Sequence, residues 1–160
     1  MVQAVPSGYA GVTPYLIIRG AARALEFYKK AFGATELMRF PGPGGTIGHA
    51  EIKIGDSPIM LADEMPGAGN RAPKTLGGTT VGVFLYVNDV DSSYKQAVDA
   101  GAKADKPPAD MFWGDRFGQL TDPFGHSWSM ATHKEDVAPA EMRKRMQQQM
   151  AQMGQTKTAS

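Results

Sequence analysis

The feature of this sequence that most restricts its fold is an internal repeat. A helical pattern of apolar residues ends at Gly33-Ala34, and a second helical pattern ends at Gly101-Ala102, 68 positions further along the chain. One strand-like segment precedes each pattern, and further strand-like segments follow it. A pattern that recurs at a fixed spacing indicates a duplicated structural unit. We therefore predict an α+β fold that consists of two βαβββ modules.

Hydrophobic periodicity and turn residues place the elements within the modules. Residues 21–32 and 90–100 are predicted to be helices, because apolar positions recur there at helical spacing. Alternating or β-branched segments predict strands over residues 12–18, 35–40, 47–54, 57–62 and 81–87. Residues 64–78 contain repeated Gly and Pro and are predicted to be a linker. The two modules then span residues 10–63 and 79–133.

Residues 134–160, which follow the domain of residues 10–133, differ in character. Methionines recur there at helical spacing among Arg, Lys and Gln side chains, and Pro139 suits the first turn of a helix. The methionines of this pattern are Met142, Met146, Met150 and Met153. We predict a C-terminal helix that packs on the domain and leaves its basic face in water. The alternative is a stripe of flexible thioethers that binds a partner protein.

The composition argues against several classes of protein. The 17 Lys and Arg residues nearly balance the 16 Asp and Glu residues, so the net charge of +1 gives no strong attraction to nucleic acid. No apolar run of about 18 residues predicts a membrane span. The absence of Cys excludes disulfide bonds, thiolate metal sites and cysteine nucleophiles. Because the N-terminal residues show no secretion signal, we expect a cytoplasmic protein without nucleic-acid or membrane partners.

Three motifs identify a family that the chain resembles. They are Phe27-Tyr28 shortly before Gly33, the segment Trp113-Gly114-Asp115-Arg116, and the segment Asp122-Pro123-Phe124-Gly125-His126. Together with the two modules, these motifs resemble the vicinal oxygen chelate superfamily, which includes glyoxalase I, the bleomycin resistance proteins and extradiol dioxygenases. The two Gly-containing segments, with His49-Ala50-Glu51, are similar more narrowly to its PhnB-like branch. The resemblance covers residues 10–135.

The resemblance implies a vicinal-oxygen-chelate (glyoxalase-like) fold and a site between its modules. In that fold each sheet is concave, the helices lie on the convex side, and the crevice holds a metal or a ligand. Thr13, Met60, Gly82 and Ser129 occupy the positions that His and Glu fill in the metal-dependent members. Divalent ions require imidazole or carboxylate ligands, so we expect neither a metal nor another cofactor. The resemblance also implies a homodimer.

Strand pairing predicts which side chains face the crevice in the first module. A two-residue turn at Gly55-Asp56 pairs Glu51 with Met60, and it aligns His49 with Ala62. Residues that lie opposite each other in an antiparallel pair share a sheet face. If Met60 faces the crevice, His49 and Glu51 therefore face it too.

The repeat offset predicts the pairing in the second module. It aligns Leu120 with Ser129 and Arg116 with His133, which places Arg116 on the crevice face. An arginine there could bind a carboxylate, phosphate or phosphonate through two parallel hydrogen bonds. The predicted ligand-binding residues are Tyr15, His49, Glu51, Met60, Phe84, Tyr86, Trp113, Arg116 and Ser129.

Several of the polar residues have structural alternatives. His49 and Glu51 are the candidate catalytic acid and base, but His49 could instead bond backbone, and Glu51 could pair with Lys53 or Arg116. His126 is expected to be structural or to face solvent in its tight hairpin. His133 could form an unusual metal site with His49 and Glu51, although His-x-Glu spacing on a strand is a weak signal.

Three functions remain open at this point. The first is a small-molecule-binding protein without a metal, which holds an aromatic or anionic compound. The second is a lyase, isomerase or dioxygenase of the same superfamily, which uses atypical metal ligands or His49 and Glu51. The third is a scaffold that acts through the methionine-rich tail. Fold analogy does not choose among them.

Overall fold

The computed structural model describes residues 2–156, so residues 157–160 of the predicted tail lie outside the described part. The first module contains β1 (Tyr15–Ile18), α1 (Ala21–Phe32), β2 (Thr35–Pro41), β3 (Ile47–Ile54) and β4 (Ser57–Asp63), with a 3₁₀ turn at Pro43–Gly45. The second contains β5 (Gly82–Tyr86), α3 (Val90–Asp99), β6 (Lys103–Asp110), β7 (Asp115–Thr121) and β8 (Ser127–His133). Between them lies α2 (Pro73–Leu76), and α4 (Pro139–Thr156) follows.

Two four-stranded sheets carry the same topology. Their strand orders are β1-β4-β3-β2 and β5-β8-β7-β6. In each sheet the first strand lies at an edge and runs parallel to its neighbour, while the other pairs are antiparallel. The predicted α+β fold of two βαβββ modules with a C-terminal helix is confirmed.

Helix α1 forms where the apolar periodicity predicted it. Lys29 and Lys30 lie in its last turn, where cations interact favourably with the helix dipole. Its N-terminus has no side-chain cap from Gly20. Asp63, at the end of β4, supplies the missing acceptor, because its Oδ1 atom accepts the backbone N–H groups of Gly20 and Ala21 at 2.8 and 2.9 Å. Strand β4, the neighbour of β1 in the sheet, therefore fixes where helix α1 begins.

A single hydrophobic core joins the two modules. Helix α1 packs on the first sheet, α3 packs on the second sheet, and the two helices contact each other. Trp128 of β8 is fully buried. The centroid of its ring lies 4.3 Å from the ring centroid of Phe32 and 5.5 Å from that of Tyr28, both on α1. Because these aromatic rings bury a large apolar area between the two modules, neither module is expected to be stable alone.

The other face of each sheet carries no helix, and we call it the open face. Large apolar side chains are exposed there, among them Tyr15 (48%), Phe40 (57%), Phe84 (50%) and Tyr86 (59%). Polar side chains alternate with the buried ones along the strands, as in a sheet packed on one side only. Exposed apolar clusters of this kind commonly mark a binding surface.

Three expectations need correction. Strand β1 begins at Tyr15 rather than at residue 12, and the predicted linker contains the short helix α2. Helix α4 forms as predicted, but Met146 and Met150 are 42% and 62% exposed. The predicted packing of this methionine stripe on the domain is therefore wrong for these two side chains.

Among the described residues, none of the helices combines the length and the apolar character that crossing a bilayer requires.

Candidate functional site

A groove of about 800 Å³ lies between the edge strands β1 and β5. Tyr15 and Ile17 line it from β1, Phe84 lines it from β5, and residues 76–82, from the end of the linker to the start of β5, complete the wall. Among the described residues that line this groove, Arg71 is the one Lys, Arg, Asp or Glu side chain. Within residues 2–156, Arg71 takes part in no ion pair. The groove therefore combines aromatic walls with an uncompensated guanidinium.

The hairpin between β7 and β8 contributes His126 to the groove wall. His126 is buried, and its Nε2 atom lies 3.0 Å from the carbonyl oxygen of Ile17 on β1. That contact bridges the edge strand of the first sheet and the hairpin of the second. Of the two alternatives for His126, the structure supports the structural one.

Tyr15, His49 and Glu51 form a hydrogen-bonded chain on the open face of the first sheet. The Tyr15 hydroxyl lies 2.9 Å from His49 Nδ1, and His49 Nε2 lies 3.1 Å from Glu51 Oε1. Tyr9, which precedes β1, donates its hydroxyl to the other Glu51 oxygen. The predicted pairing of Glu51 with Met60 is confirmed, and this register brings His49 and Glu51 to the same face.

The hydrogen bonds to Glu51 determine its ionisation. The Tyr9 hydroxyl and the His49 imidazole stabilise the carboxylate and lower the pKa of Glu51, although burial opposes them. The same contact with the carboxylate raises the pKa of Tyr9. Glu51 is therefore an anion at neutral pH, and an anionic carboxylate can only accept hydrogen bonds.

A second polar cluster on the other sheet is centred on Asp115, which is 5% exposed. Its oxygens accept hydrogen bonds from Tyr86 Oη at 2.9 Å, Trp113 Nε1 at 3.1 Å and His133 Nδ1 at 2.8 Å. Burial alone would raise the pKa of Asp115, but the hydrogen bonds from His133, Tyr86 and Trp113 lower it overall. Three donors hold this carboxylate, so the cluster fixes the start of β7.

The predicted association of His133 with His49 and Glu51 is wrong. His133 contacts Asp115 and Asp136 instead, at 2.8 and 2.9 Å. In the part of the chain that the structure describes, no three His, Asp or Glu side chains are grouped so that they could hold a metal ion.

The predicted register of β7 and β8 is wrong by one residue. Ser129 pairs with Gln119 rather than with Leu120, and His133 pairs with Asp115 rather than with Arg116. The reason is the turn: two residues connect β3 to β4, whereas residues 122–126 connect β7 to β8. A shift of one residue moves every side chain of the strand to the other sheet face.

This shift relocates Arg116. Its Nε and Nη2 atoms bind both carboxylate oxygens of Asp91 on α3 at 2.6 and 2.8 Å, and Nη1 lies 3.1 Å from Asp110. Arg116 therefore lies on the helix-facing side of the sheet. The prediction that Arg116 lines the crevice is wrong. The cation that lines the groove is Arg71, which sequence analysis missed because the linker has no periodicity that predicts side-chain direction.

The structure does not gather the other predicted ligand-binding residues in one place. Tyr15 and Phe84 line the groove. Ser129 pairs with Phe84 on the open face of the second sheet, where Tyr86 and Trp113 belong to the Asp115 cluster. His49, Glu51 and Met60 lie on the open face of the first sheet.

The four positions that the resemblance assigns to a metal, Thr13, Met60, Gly82 and Ser129, can be compared between the sheets. Tyr15 pairs with Met60, and Phe84 pairs with Ser129, so the two sheets present equivalent registers at this point. Thr13 precedes β1, and Gly82 begins β5. None of these side chains is an imidazole or a carboxylate, so the residues present do not fit the metal of the metal-dependent members.

Comparison with known proteins agrees with the fold. The family model of the Glyoxalase/Bleomycin resistance protein/Dioxygenase superfamily matches residues 11–130. The chain belongs to this superfamily.

Individual relatives extend the comparison. The protein Rv0887c of Mycobacterium tuberculosis is 41% identical over 141 residues, which cover 86% of this chain and 83% of that protein. The crystal structure of the Arabidopsis thaliana At5g48480 product is similar with a TM-score of 0.65 at 28% identity, covering 77% of this chain and 98% of that one. A PhnB protein from Bacillus cereus has a TM-score of 0.57 at 19% identity, covering 76% and 98%, which is a likeness of fold alone.

Proposed function

We propose that this chain is a cytoplasmic small-molecule-binding protein of the PhnB-like branch, and that it holds an aromatic carboxylate in the groove between β1 and β5. The observation that carries the proposal is the position of Arg71, a cation without an ion pair among the described residues, at the wall of a largely apolar groove with aromatic side chains. The motifs around Trp113 and Asp122 support the branch.

The chemistry of the groove determines the class of ligand. Tyr15 and Phe84 are half exposed, so a flat ring can pack against them and remove apolar surface from water. The Arg71 guanidinium can bind a carboxylate through two parallel hydrogen bonds. A volume near 800 Å³ is within the range of small-molecule sites. The four family positions offer no metal ligand, so binding through the groove residues is metal-independent in this proposal.

Calorimetric titration with 3-phenylpropionate tests the proposal. Saturable binding is expected, and it should persist in EDTA. The uncharged amide of the same compound should bind about tenfold more weakly, and so should 3-phenylpropionate to Arg71→Gln, because each change removes the charge-assisted pair. The matched control is Arg143→Gln on α4, which should bind as the unmodified protein does. Equal affinity of Arg71→Gln and the unmodified protein would contradict the proposal, as would loss of binding in EDTA.

We also propose a homodimer that covers the parts of the open faces around Phe40 and Tyr86, neither of which lines the groove. Phe40 and Tyr86 are more than half exposed, and Leu37 and Met38 lie on the same first sheet with 47% and 41% exposure. A second copy of this chain offers the same apolar surface, which suits a two-fold interface. Sedimentation should give the mass of a dimer, and a Phe40→Ser, Tyr86→Ser variant should sediment as a monomer. An unmodified protein that is still monomeric at about 1 mM would contradict this part.

A further inference from the structure

A smaller cavity, of about 400 Å³, lies where the start of α1, the helix α2 and the hairpin of β7 and β8 meet. Its walls are Arg19, Arg23, Lys74, Pro123 and Phe124, and we call it the basic cavity. The groove between β1 and β5 is lined by other residues. Among the described residues, no Asp or Glu side chain lines the basic cavity. Three cations therefore border one space that is separate from the aromatic groove.

The fold brings the three cations together from different elements. Arg19 lies in the turn between β1 and α1, and Arg23 lies in the first turn of α1. The Arg23 guanidinium folds back over Gly20, since a Cβ atom at Gly20 would lie 2.9 Å from its Nη2 atom. Lys74 belongs to α2, which packs on the hairpin, and a Cβ atom at Gly125 would lie 3.6 Å from the Lys74 backbone nitrogen. Contacts within the fold therefore determine the position of this positive charge.

The three cations are exposed to solvent, so a ligand can reach them. Within residues 2–156, Arg19, Arg23 and Lys74 take part in no ion pair. Lys29, which lies further along α1, is by contrast paired with two glutamates at 3.0 and 2.7 Å. The mutual repulsion of the three like charges is therefore not offset by carboxylates of the described residues.

The start of α1 is also an unfavourable place for a cation. The N-terminus of a helix carries partial positive charge, so acidic side chains stabilise it and basic side chains destabilise it. The first turn of α1, residues 21–24, contains Arg23 and no acidic residue, and Arg19 lies just before it. Asp63 accepts the first backbone N–H groups but does not line the basic cavity. Charge placement that weakens the free protein is expected where function requires it.

We propose that the basic cavity binds the diphosphate group of a small molecule. The guanidinium groups of Arg19 and Arg23 can each bind phosphate oxygens through parallel hydrogen bonds, and Lys74 adds a third charge. A diphosphate spreads several negative charges over two linked groups, which suits cations from three elements, and a helix N-terminus favours such an anion. Because the whole chain has a net charge of only +1, this positive charge is local and suits a small anion rather than a polymer.

Calorimetric titration with inorganic pyrophosphate at low ionic strength tests the proposal. Saturable binding is expected, and orthophosphate and sulfate should bind about tenfold more weakly or worse, because each can reach only some of the cations. Arg19→Gln and Arg23→Gln should each weaken pyrophosphate binding by about tenfold, and Lys74→Gln by about fivefold. The matched control is Lys30→Gln, an exposed lysine of the same helix that lies outside the basic cavity. It should bind pyrophosphate within about twofold of the unmodified protein.

Urea unfolding gives a second readout and shows that the variants are folded. Without pyrophosphate, Arg23→Gln should have a higher urea midpoint than the unmodified protein, because it removes a cation from the positive end of the helix dipole. Lys30→Gln should have a lower midpoint, because Lys30 lies in the last turn. Pyrophosphate should raise the midpoint of the unmodified protein more than that of Arg23→Gln. A lower midpoint of Arg23→Gln without pyrophosphate would overturn the electrostatic argument for the site.

ADP separates the two sources of a diphosphate group. If ADP binds at least as tightly as pyrophosphate, the group belongs to an organic ligand, and if ADP binds more weakly, the ligand is the free anion. Either result supports a diphosphate site, whereas sulfate that binds as tightly as pyrophosphate would overturn it. No saturable binding at about 10 mM pyrophosphate would also overturn it, as would equal losses in Arg23→Gln and Lys30→Gln. These outcomes do not depend on whether the groove binds 3-phenylpropionate.

Discussion

The hydroxyl of Tyr28 on α1 donates a hydrogen bond to Asp122 Oδ2 at 2.7 Å, across 94 positions of sequence. Both residues are buried. Asp122 also accepts from Trp128 Nε1 and from the backbone N–H groups of Phe124 and His126. One carboxylate thus shapes the hairpin of the second module and fastens it to the helix of the first.

Removal of the Tyr28 hydroxyl should destabilise the whole domain. Tyr28→Phe should lower the free energy of unfolding by about 1–2 kcal/mol, because a hydrogen bond to a buried charged group is lost. Asp122→Ala should cost about 3 kcal/mol or more, since several buried donors lose their acceptor. Urea unfolding measures both values. Tyr15, which is half exposed, provides the comparison, and Tyr15→Phe should cost less than Tyr28→Phe. Equal stability of Tyr28→Phe and the unmodified protein would refute the link.

The contact between Tyr28 and Asp122 should also make the stability of the domain depend on pH in the alkaline range. Burial, together with the neighbouring Asp122 carboxylate, raises the pKa of Tyr28 well above its ordinary value of 10.0. The folded state therefore keeps the phenol proton after the unfolded chain has lost it, and stability falls as the pH rises above 10. Tyr28→Phe should show a shallower alkaline loss in urea midpoints measured from pH 8 to about 11. Parallel curves for the two proteins would show that Tyr28 does not contribute.

The sequence predicted those parts of the fold whose determinants are local. Helix α1 and the hairpin of β3 and β4 follow from periodicity and from a two-residue turn, so their register is correct and their bounds are correct to within one residue. The register of the second hairpin was wrong because residues 122–126 connect its strands, whereas two residues connect β3 to β4, and the repeat offset does not show this difference. Tyr9 was missed because its contact with Glu51 crosses 42 positions. Arg71 was missed because it lies in the linker, where no hydrophobic periodicity predicts the direction of a side chain.

The corrected position of Arg116 predicts its effect on binding. Its guanidinium is held by both oxygens of Asp91 and does not line the groove. Arg116→Gln should therefore leave the affinity for 3-phenylpropionate within about twofold of the unmodified value, in contrast to Arg71→Gln. Calorimetry under the same conditions measures both variants. An affinity loss at Arg116 as large as that at Arg71 would place the ligand on the other side of the sheet.

Gly114 should be the least replaceable residue at the junction of β7 and the C-terminal segment. Its φ angle is 99°, and a Cβ atom there would overlap the Glu135 carbonyl oxygen and lie 2.9 Å from Val137 Cγ2. Its own carbonyl accepts the N–H groups of Lys134 and Glu135. Gly114→Ala should cost about 2–4 kcal/mol from backbone strain and overlap.

Gly44 is the matched control for Gly114. It also has a positive φ, of 65°, but a Cβ atom there meets nothing within 4 Å. Gly44→Ala should therefore cost only about 1 kcal/mol, from backbone strain alone. Urea unfolding of the two variants separates strain from overlap, and equal losses would mean that the contact with Glu135 contributes nothing.

His133 should make the attachment of the C-terminal segment depend on pH. Its Nδ1 atom bonds Asp115 on β7, and its Nε2 atom bonds Asp136, which is fully exposed. The hydrogen bonds to Asp115 and Asp136 raise the pKa of His133 above its ordinary value of 6.5. Because the folded state binds the proton more tightly, this stabilisation is complete below pH 6.5 and is lost as the pH rises through the raised pKa.

Hydrogen exchange of the Lys134 and Glu135 amides measures this attachment. After correction for the intrinsic effect of pH, their protection should decrease between about pH 6 and pH 9. His133→Gln should remove that dependence, because glutamine keeps a hydrogen-bonding side chain but has no charge to lose. The lowered pKa of Asp115 acts in the opposite direction and only in acid, so it leaves this range unaffected. Protection that is constant across the range in the unmodified protein would mean that the His133 charge does not hold the segment.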